Sequence, residues 1–191
     1  MAQALRLGIA GLGTVGGGVL DILARHKDLV VARAGRAVEV VAVSARSRAK
    51  DRGHDLSKLL WHDDPVKLAA DPNIDVFVEL MGGEGDPAKS AVETALRAGR
   101  HVITANKGTV VHGYAELRAL AARHGRQFFF ESTVMDGAPI FSLFRAALPG
   151  ARLLSFRAIL NSTTNLILTR MESGDTFDGA VRYAQEIGIA E

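Results

Sequence analysis

The sequence predicts an α/β fold built on a doubly wound parallel sheet, and three observations carry the prediction. An apolar run, Leu5–Ala10, passes straight into Gly11-Leu-Gly13-Thr-Val-Gly16 and then into a helical pattern. Apolar strands and helical stretches alternate from there to about residue 130. Such alternation forces crossover connections, which make the strands parallel and cover the sheet with helices. The glycine spacing directly after a first strand is the dinucleotide-binding fingerprint in its structural context, which makes the sheet Rossmann-type.

Each element has a local reason. Leu5–Ala10 is the first strand and Thr14–Arg25 its helix. Val38–Val43 is rich in β-branched residues and reads as the second strand. Arg46–Pro72 is charged, holds the lone Trp61, and reads as an irregular connection with one short element. Asp75–Leu80 is a strand followed by Gly82-Gly83, and Ala88–Ala98 is a helix closed by Gly99. His101–Thr104 is a short buried strand, Ala115–His124 a helix with Gly125 behind it, and Gln127–Phe130 a strand. Past Glu131 the character changes. A loop opens a helix through Arg145, which Leu148-Pro-Gly150 ends. Leu153–Leu160 reads as a strand, Asn161–Asn165 starts a helix ending at Ser173-Gly174, and a last helix runs from about Thr176 to Glu186. Residues 1–130 are therefore expected to form a dinucleotide-binding domain, and 131–191 the beginning of a second, α+β, domain. That second stretch is short of the roughly 100 residues of a common domain, so a truncated second domain is expected.

Composition narrows the function. The chain has 191 residues, 48% of them hydrophobic, enough to bury a large core. A net charge of +2 gives no broad field for nucleic acid. The absence of cysteine excludes disulfides, thiolate metal sites and a cysteine nucleophile. Arg6 interrupts the first apolar run, unlike a signal peptide, and no run of about 18 apolar residues exists to span a membrane. A soluble, cytoplasmic protein without nucleic-acid or membrane partners is expected. The six histidines show no metal-ligand spacing.

Four segments carry chemistry. In the first, Gly11 permits a tight turn, Gly13 lets backbone approach a pyrophosphate, and Gly16 lets the helix pack close, while the helix N-terminus offers N–H groups to phosphate. The second strand ends in Ser44-Ala-Arg46-Ser-Arg48-Ala-Lys50, with cations where an NAD site usually carries an acid. Ser44, Arg46 and Arg48 suit a ribose 2′-phosphate, so NADP is favoured, with NAD as the alternative; the same cations also suit a solvated loop. His101–Thr104 delivers Asn106 and Lys107 to the carboxyl end of the sheet, where a lysine can hold a carboxylate or alkoxide, or simply cover a loop. Glu131 and Asp136 lie in a carbonyl-rich loop that fits a hard cation or a helix cap. Asn161-Ser-Thr-Thr-Asn165 makes either an anion cradle or an ordinary cap.

Together these segments resemble the homoserine dehydrogenase family over nearly the whole chain. The resemblance rests on Gly11–Gly16, Glu79-Leu-Met-Gly-Gly83, Thr104-Ala-Asn-Lys107, Glu131–Ile140, Leu160-Asn-Ser-Thr-Thr-Asn165 and Ala184–Glu191, in the family's order. It implies interconversion of L-homoserine and L-aspartate-4-semialdehyde with NAD(P), in threonine and methionine synthesis, by a homodimer acting on a small-molecule substrate. It implies that Thr14 and Val15 join the glycines on the pyrophosphate, that Met81 and Gly82 lie against the cofactor, and that Lys107 meets nicotinamide and substrate as a catalytic residue. Glu131, Val134, Asp136 and Ala138 match a sodium-binding loop, Ser162 and Thr163 match substrate positions, and Glu191 matches the glutamate that grips the substrate amino group. Ser162 departs from the family's usual Gly, and Ile189 from a frequent Tyr. Relatives continue past the position of Glu191 with an acidic stretch, then an Asp and a Lys that act on the substrate, so this chain is expected to be an incomplete catalytic unit.

Overall fold

A computed structural model describes residues 3–135 and 137–189. The chain divides into two compact units, 1–140 and 141–191, each taken by itself below.

The first unit is a six-stranded parallel sheet. Its strands are β1 (Leu5–Ala10), β2 (Val38–Ser44), β3 (Leu60–His62), β4 (Val76–Glu79), β5 (His101–Thr104) and β6 (Phe128–Phe129). Its helices are α1 (Thr14–Arg25), α2 (Lys27–Ala34), α3 (Pro65–Ala69), α4 (Ala88–Arg97) and α5 (Lys107–Arg123). Strand order is β3-β2-β1-β4-β5-β6. The chain thus works outward from β1 in one direction, returns to β4 beside β1, and works outward in the other. The order reverses between β1 and β4, where ligands settle in open α/β sheets.

Burial follows the pleat. Every residue of β4 is buried, as expected of a central strand covered on both faces. Val76 and Val78 join Leu7, Ile9, Leu12 and Val43 in one core cluster. Phe77 points the other way and is fully buried, worth about 1.5–3 kcal/mol relative to exposure. Gly8 faces Ile74 and Leu68, and a Cβ there would come within 2.9 Å of the Ile74 side chain. Helix ends follow side-chain chemistry: Asp64 accepts a hydrogen bond from the Val66 N–H at 2.8 Å ahead of Pro65, and Gly99 and Gly125 close α4 and α5 with positive φ.

Several elements differ from expectation. α2 follows α1 after only His26, where the sequence carried no distinct start signal. The 46–72 connection holds two elements, β3 and α3, rather than one. α5 begins at Lys107, eight residues before the expected Ala115, because Asn106 caps it: its side chain accepts from the N–H groups of Gly108 (2.9 Å) and Thr109 (3.4 Å).

At the start of the second unit, the helical turn α6 (Ile140–Ser142), whose first residue closes the first unit, continues as a π-helical turn over Leu143–Ala147, and α7 (Ser162–Glu172) and α8 (Phe177–Glu186) follow. Arg170 joins the two longer helices: it pairs with Asp175 at 2.8 Å and its guanidinium lies 4.0 Å from the Tyr183 ring centre. The expected strand over Leu153–Leu160 is not formed. Its apolar side chains, Leu154, Phe156 and Ile159 among them, are exposed and pair with no strand among the described residues. A strand gains its stability from cross-strand partners, so an apolar run without one stays irregular.

Candidate functional site

A cleft of about 710 Å³ opens at the carboxyl end of the sheet, at the reversal between β1 and β4. Gly11, Leu12 and Gly13 form one wall, Ser44 to Ser47 with Lys50 and Arg52 a second, and Leu80, Met81 and Gly82 a third.

The three glycines do three different jobs. Gly11 has φ +97°, and a Cβ there would collide with the Leu80 carbonyl and come within 2.8 Å of the Met81 N–H nitrogen. Gly11 also donates its N–H to the Ser44 carbonyl at 2.9 Å, pinning the turn to β2. A Cβ on Gly16 would strike the Gly11 carbonyl, so α1 runs as close to the turn as a helix can. Gly13 meets nothing: a Cβ there would project into open space on the cleft side. Gly11 and Gly16 are therefore glycines for the fold, while Gly13 keeps a surface bare. Gly13 is also the N-cap of α1, with no side chain bonding the first-turn N–H groups. Those of Thr14, Val15 and Gly16 lack intrahelical acceptors and present the positive end of the helix dipole. Val15 is exposed.

The basic wall is sorted by the structure. Ser44, buried at the end of β2, and Arg46 line the cleft. Arg48 does not: its guanidinium lies 5.9 Å from the centre of the Trp61 ring. Lys50 and Arg52 line it instead. Asp63, also on the wall, accepts a hydrogen bond from the Trp61 indole N–H at 2.9 Å. Lys50 sat inside the basic run without a signal to single it out, and nothing local marked Arg52 or Asp63.

The third wall is built on a buried carboxylate to which the sequence motifs assign no role. Glu79 is fully buried at the end of β4. It accepts hydrogen bonds from the Met81 N–H (2.8 Å), the Thr104 hydroxyl (2.5 Å) and the Thr109 hydroxyl (3.4 Å). Burial raises its pKa above the ordinary carboxylate value, and these donors partly offset that by favouring the charged form. Its signal in the sequence was a lone carboxylate at the end of an otherwise apolar strand. Asn106 completes the link by donating its side-chain N–H to the Met81 carbonyl at 3.0 Å. The start of α5 then presses on the Gly82-Gly83 turn: a Cβ on Gly108 would fall 3.0 Å from the Gly83 carbonyl oxygen. Met81 and Gly82 line the cleft, and Lys107, first residue of α5, is exposed beside this turn with no ion-pair partner among the described residues.

Glu131, Val134 and Ala138 are not among the residues that line this cleft. Glu131 opens a 3-10 turn whose Thr133 hydroxyl donates to the Phe130 carbonyl at 2.7 Å. The Ala138 carbonyl accepts the Ile140 N–H at 2.9 Å. Among the described residues no group of three or more histidines and carboxylates is arranged to hold a metal. Asp136 and Glu191 lie outside the described residues. In the second unit, Ser162 and Thr163 open α7 behind the Asn161 cap, which accepts from the Thr164 N–H at 2.8 Å. The Thr163 hydroxyl donates to the Ile189 carbonyl at 3.0 Å, tying the segment after α8 to the start of α7. Among the described residues no helix is long and apolar enough to cross a membrane.

Comparison with known proteins agrees with this geometry. Residues 11–131 match the family model of the homoserine dehydrogenase NAD-binding domain, and residues 139–191 match that of homoserine dehydrogenase itself. The chain is 35% identical to the homoserine dehydrogenase of Bacillus subtilis over 99% of its own length and 44% of the relative's. It is 39% identical to that of Pseudomonas aeruginosa, over 98% of the chain and 43% of the relative. Among solved structures it is similar to a homoserine dehydrogenase from Thiobacillus denitrificans, with a TM-score of 0.84, 36% identity, and coverage of 99% of this chain and 44% of that one. A hyperthermophilic archaeal homoserine dehydrogenase in complex with NADPH gives a TM-score of 0.81 at 28% identity, covering 99% of this chain and 63% of the other. The chain thus spans about 44% of the length of the Bacillus relative.

Proposed function

The chain belongs to the homoserine dehydrogenase family, and on that premise we propose that its protein interconverts L-homoserine and L-aspartate-4-semialdehyde by hydride transfer with NADP, in threonine and methionine synthesis. The observation that carries the proposal is the bare face of Gly13 at the uncapped start of α1, opening on a cleft whose far wall bears cations. That combination fits a phosphorylated dinucleotide: close backbone approach and free N–H groups for the diphosphate, positive charge for a further phosphate. An NADPH complex of a similar enzyme supports the same reading.

The residues divide the work as follows. Gly11, Gly13 and Gly16 with the N–H groups of Thr14 and Val15 hold the diphosphate. Ser44 and Arg46 hold the 2′-phosphate, a task in which Arg48 has less part because it sits over Trp61. Met81 and Gly82 form the wall for the nicotinamide half. When bound, the nicotinamide supplies the hydride acceptor or donor. The Lys107 ammonium steadies negative charge on the substrate oxygen as the hydroxyl proton leaves to water, an electrostatic role requiring no proton to leave the lysine. Ser162 and Thr163 hold the substrate's polar groups, with Glu191 on its amino group. The loop of Glu131, Val134, Asp136 and Ala138 takes a sodium ion; the Ala138 carbonyl keeps a second lone pair for it. The same proposal makes the protein a cytoplasmic homodimer, and the exposed apolar run around Leu154 and Phe156 supports an apolar interface.

The test is homoserine-dependent reduction of NADP by the full-length protein, followed by NADPH absorbance. Turnover that needs both is expected. Saturable cofactor binding without any response to homoserine would instead indicate a non-catalytic NADP module, and turnover only with another amino-alcohol would indicate a different substrate.

A further inference from the structure

Arg52 bridges two backbone segments and a ring. Its Nε donates to the Leu12 carbonyl at 3.2 Å, within the glycine-rich turn. Its Nη1 and Nη2 donate to the carbonyls of Lys50 (2.7 Å) and Ser47 (2.6 Å), within the basic loop. The guanidinium also lies 5.8 Å from the centre of the Trp61 ring on β3, which Arg48 approaches at 5.9 Å. Trp61 in turn donates its indole N–H to Asp63, another residue of the cleft wall. Each nitrogen of Arg52 is thus engaged with a main-chain oxygen, and the planar fork fixes the angles between them. Three of its five N–H groups are thereby committed to main-chain oxygens, although it lines the cleft. It closes the loop from Ser47 to Lys50 onto the turn, while Arg46 and Lys50 keep their charges on the cleft side.

We infer that Arg52 is a positioning residue that sets cofactor choice: by tying the glycine-rich turn to the basic loop, it holds the loop's cations in the arrangement that prefers a 2′-phosphorylated dinucleotide. The inference rests on the reading of this cleft as an NADP site and adds a residue that does not itself touch the phosphate. Ordering a cationic loop before binding removes an entropic cost that would otherwise fall on the contact with the extra phosphate. The ribose hydroxyls of NAD make no comparable demand on the cations, so loosening the loop penalises one cofactor more than the other.

The test is a titration of the chain with NADPH and NADH by cofactor fluorescence, for wild type, Arg52→Met and Arg52→Lys, with thermal melting run beside it. Lysine keeps the charge but cannot engage three carbonyls in one plane, so it separates position from charge. Both variants are expected to lower the NADPH-to-NADH affinity ratio about tenfold, chiefly through NADPH, as loss of a fork-held arrangement would. If Arg52→Met does not fold, the lysine variant alone decides. A lysine variant with the wild-type ratio would overturn the inference, since charge alone would then suffice. Equal losses for both cofactors would also overturn it, reducing Arg52 to general support. A wild-type chain that shows no preference for NADPH would instead overturn the NADP reading on which the inference stands.

Discussion

The Glu79 carboxylate accepts a 2.5 Å hydrogen bond from the Thr104 hydroxyl, joining the carboxyl ends of β4 and β5 beneath the cleft. Thr104 passes the link on by accepting the Asn106 N–H at 3.0 Å. The wall that carries Met81 and the helix that begins with Lys107 therefore share one buried anchor.

Thr104→Val should expose the cost of that buried charge. Burial raises the Glu79 pKa. A raised carboxylate favours the folded state fully below its unfolded value and loses that contribution as pH rises through the folded value. Removing a donor to the charged form raises the pKa further. The variant is expected to lose about 1–3 kcal/mol near pH 8 and less near pH 5 in urea unfolding. Equal losses at both would mean that Glu79 does not change its protonation state between those pH values.

At the opposite end of the sheet, Asp75 accepts from the Arg6 side chain at 2.8 and 3.1 Å and from the Arg6 N–H at 2.9 Å. The Arg6 side-chain bonds, opposed by burial, hold its pKa below the ordinary value. A lowered carboxylate contributes stability above its unfolded value, and that stability disappears as pH falls through the folded value. Asp75→Asn is expected to cost about 1–2 kcal/mol near neutral pH and progressively less below about pH 4. Parallel pH profiles for variant and wild type would contradict this.

The legible part of the fold is the part where a residue has few alternatives. The turn at Gly11 was readable because its positive φ and its approach to Leu80 admit only glycine. Apolar runs gave β1, β2, β4 and β5, most plainly β4, which is buried at every residue. The region from 46 to 72 was not readable, because its shape comes from Arg52 bonding to carbonyls up to 40 residues away. The same contacts decide that Arg46 and Lys50 line the cleft while Arg48 turns to Trp61, and loop spacing does not encode that choice. Leu153–Leu160 misled in the other direction, since an apolar run records a capacity for pairing and not a partner.

Arg46→Ala should separate the cofactors. It is expected to weaken NADPH about tenfold or more while leaving NADH within about threefold, as the loss of a charge-assisted phosphate contact would. Arg48→Ala should change either cofactor far less. Comparable losses for the two variants in parallel titrations would return Arg48 to the phosphate site.

In the full-length protein, Lys107→Met should leave NADPH affinity nearly intact and cut homoserine turnover by about 100-fold or more, the scale of losing one electrostatic stabiliser of developing charge. Steady-state kinetics beside a binding titration checks it. Unchanged turnover would remove Lys107 from the reaction centre.

The most direct measurement is NADPH titration of the wild-type chain and of Gly13→Ala, with melting curves for both. The added methyl meets open space in the fold. The account predicts saturable binding by wild type, a clear loss of affinity in the variant, and melting curves that nearly coincide. Absent binding by wild type, or equal affinity in the variant, would contradict it, because the turn would then not be where a diphosphate lies.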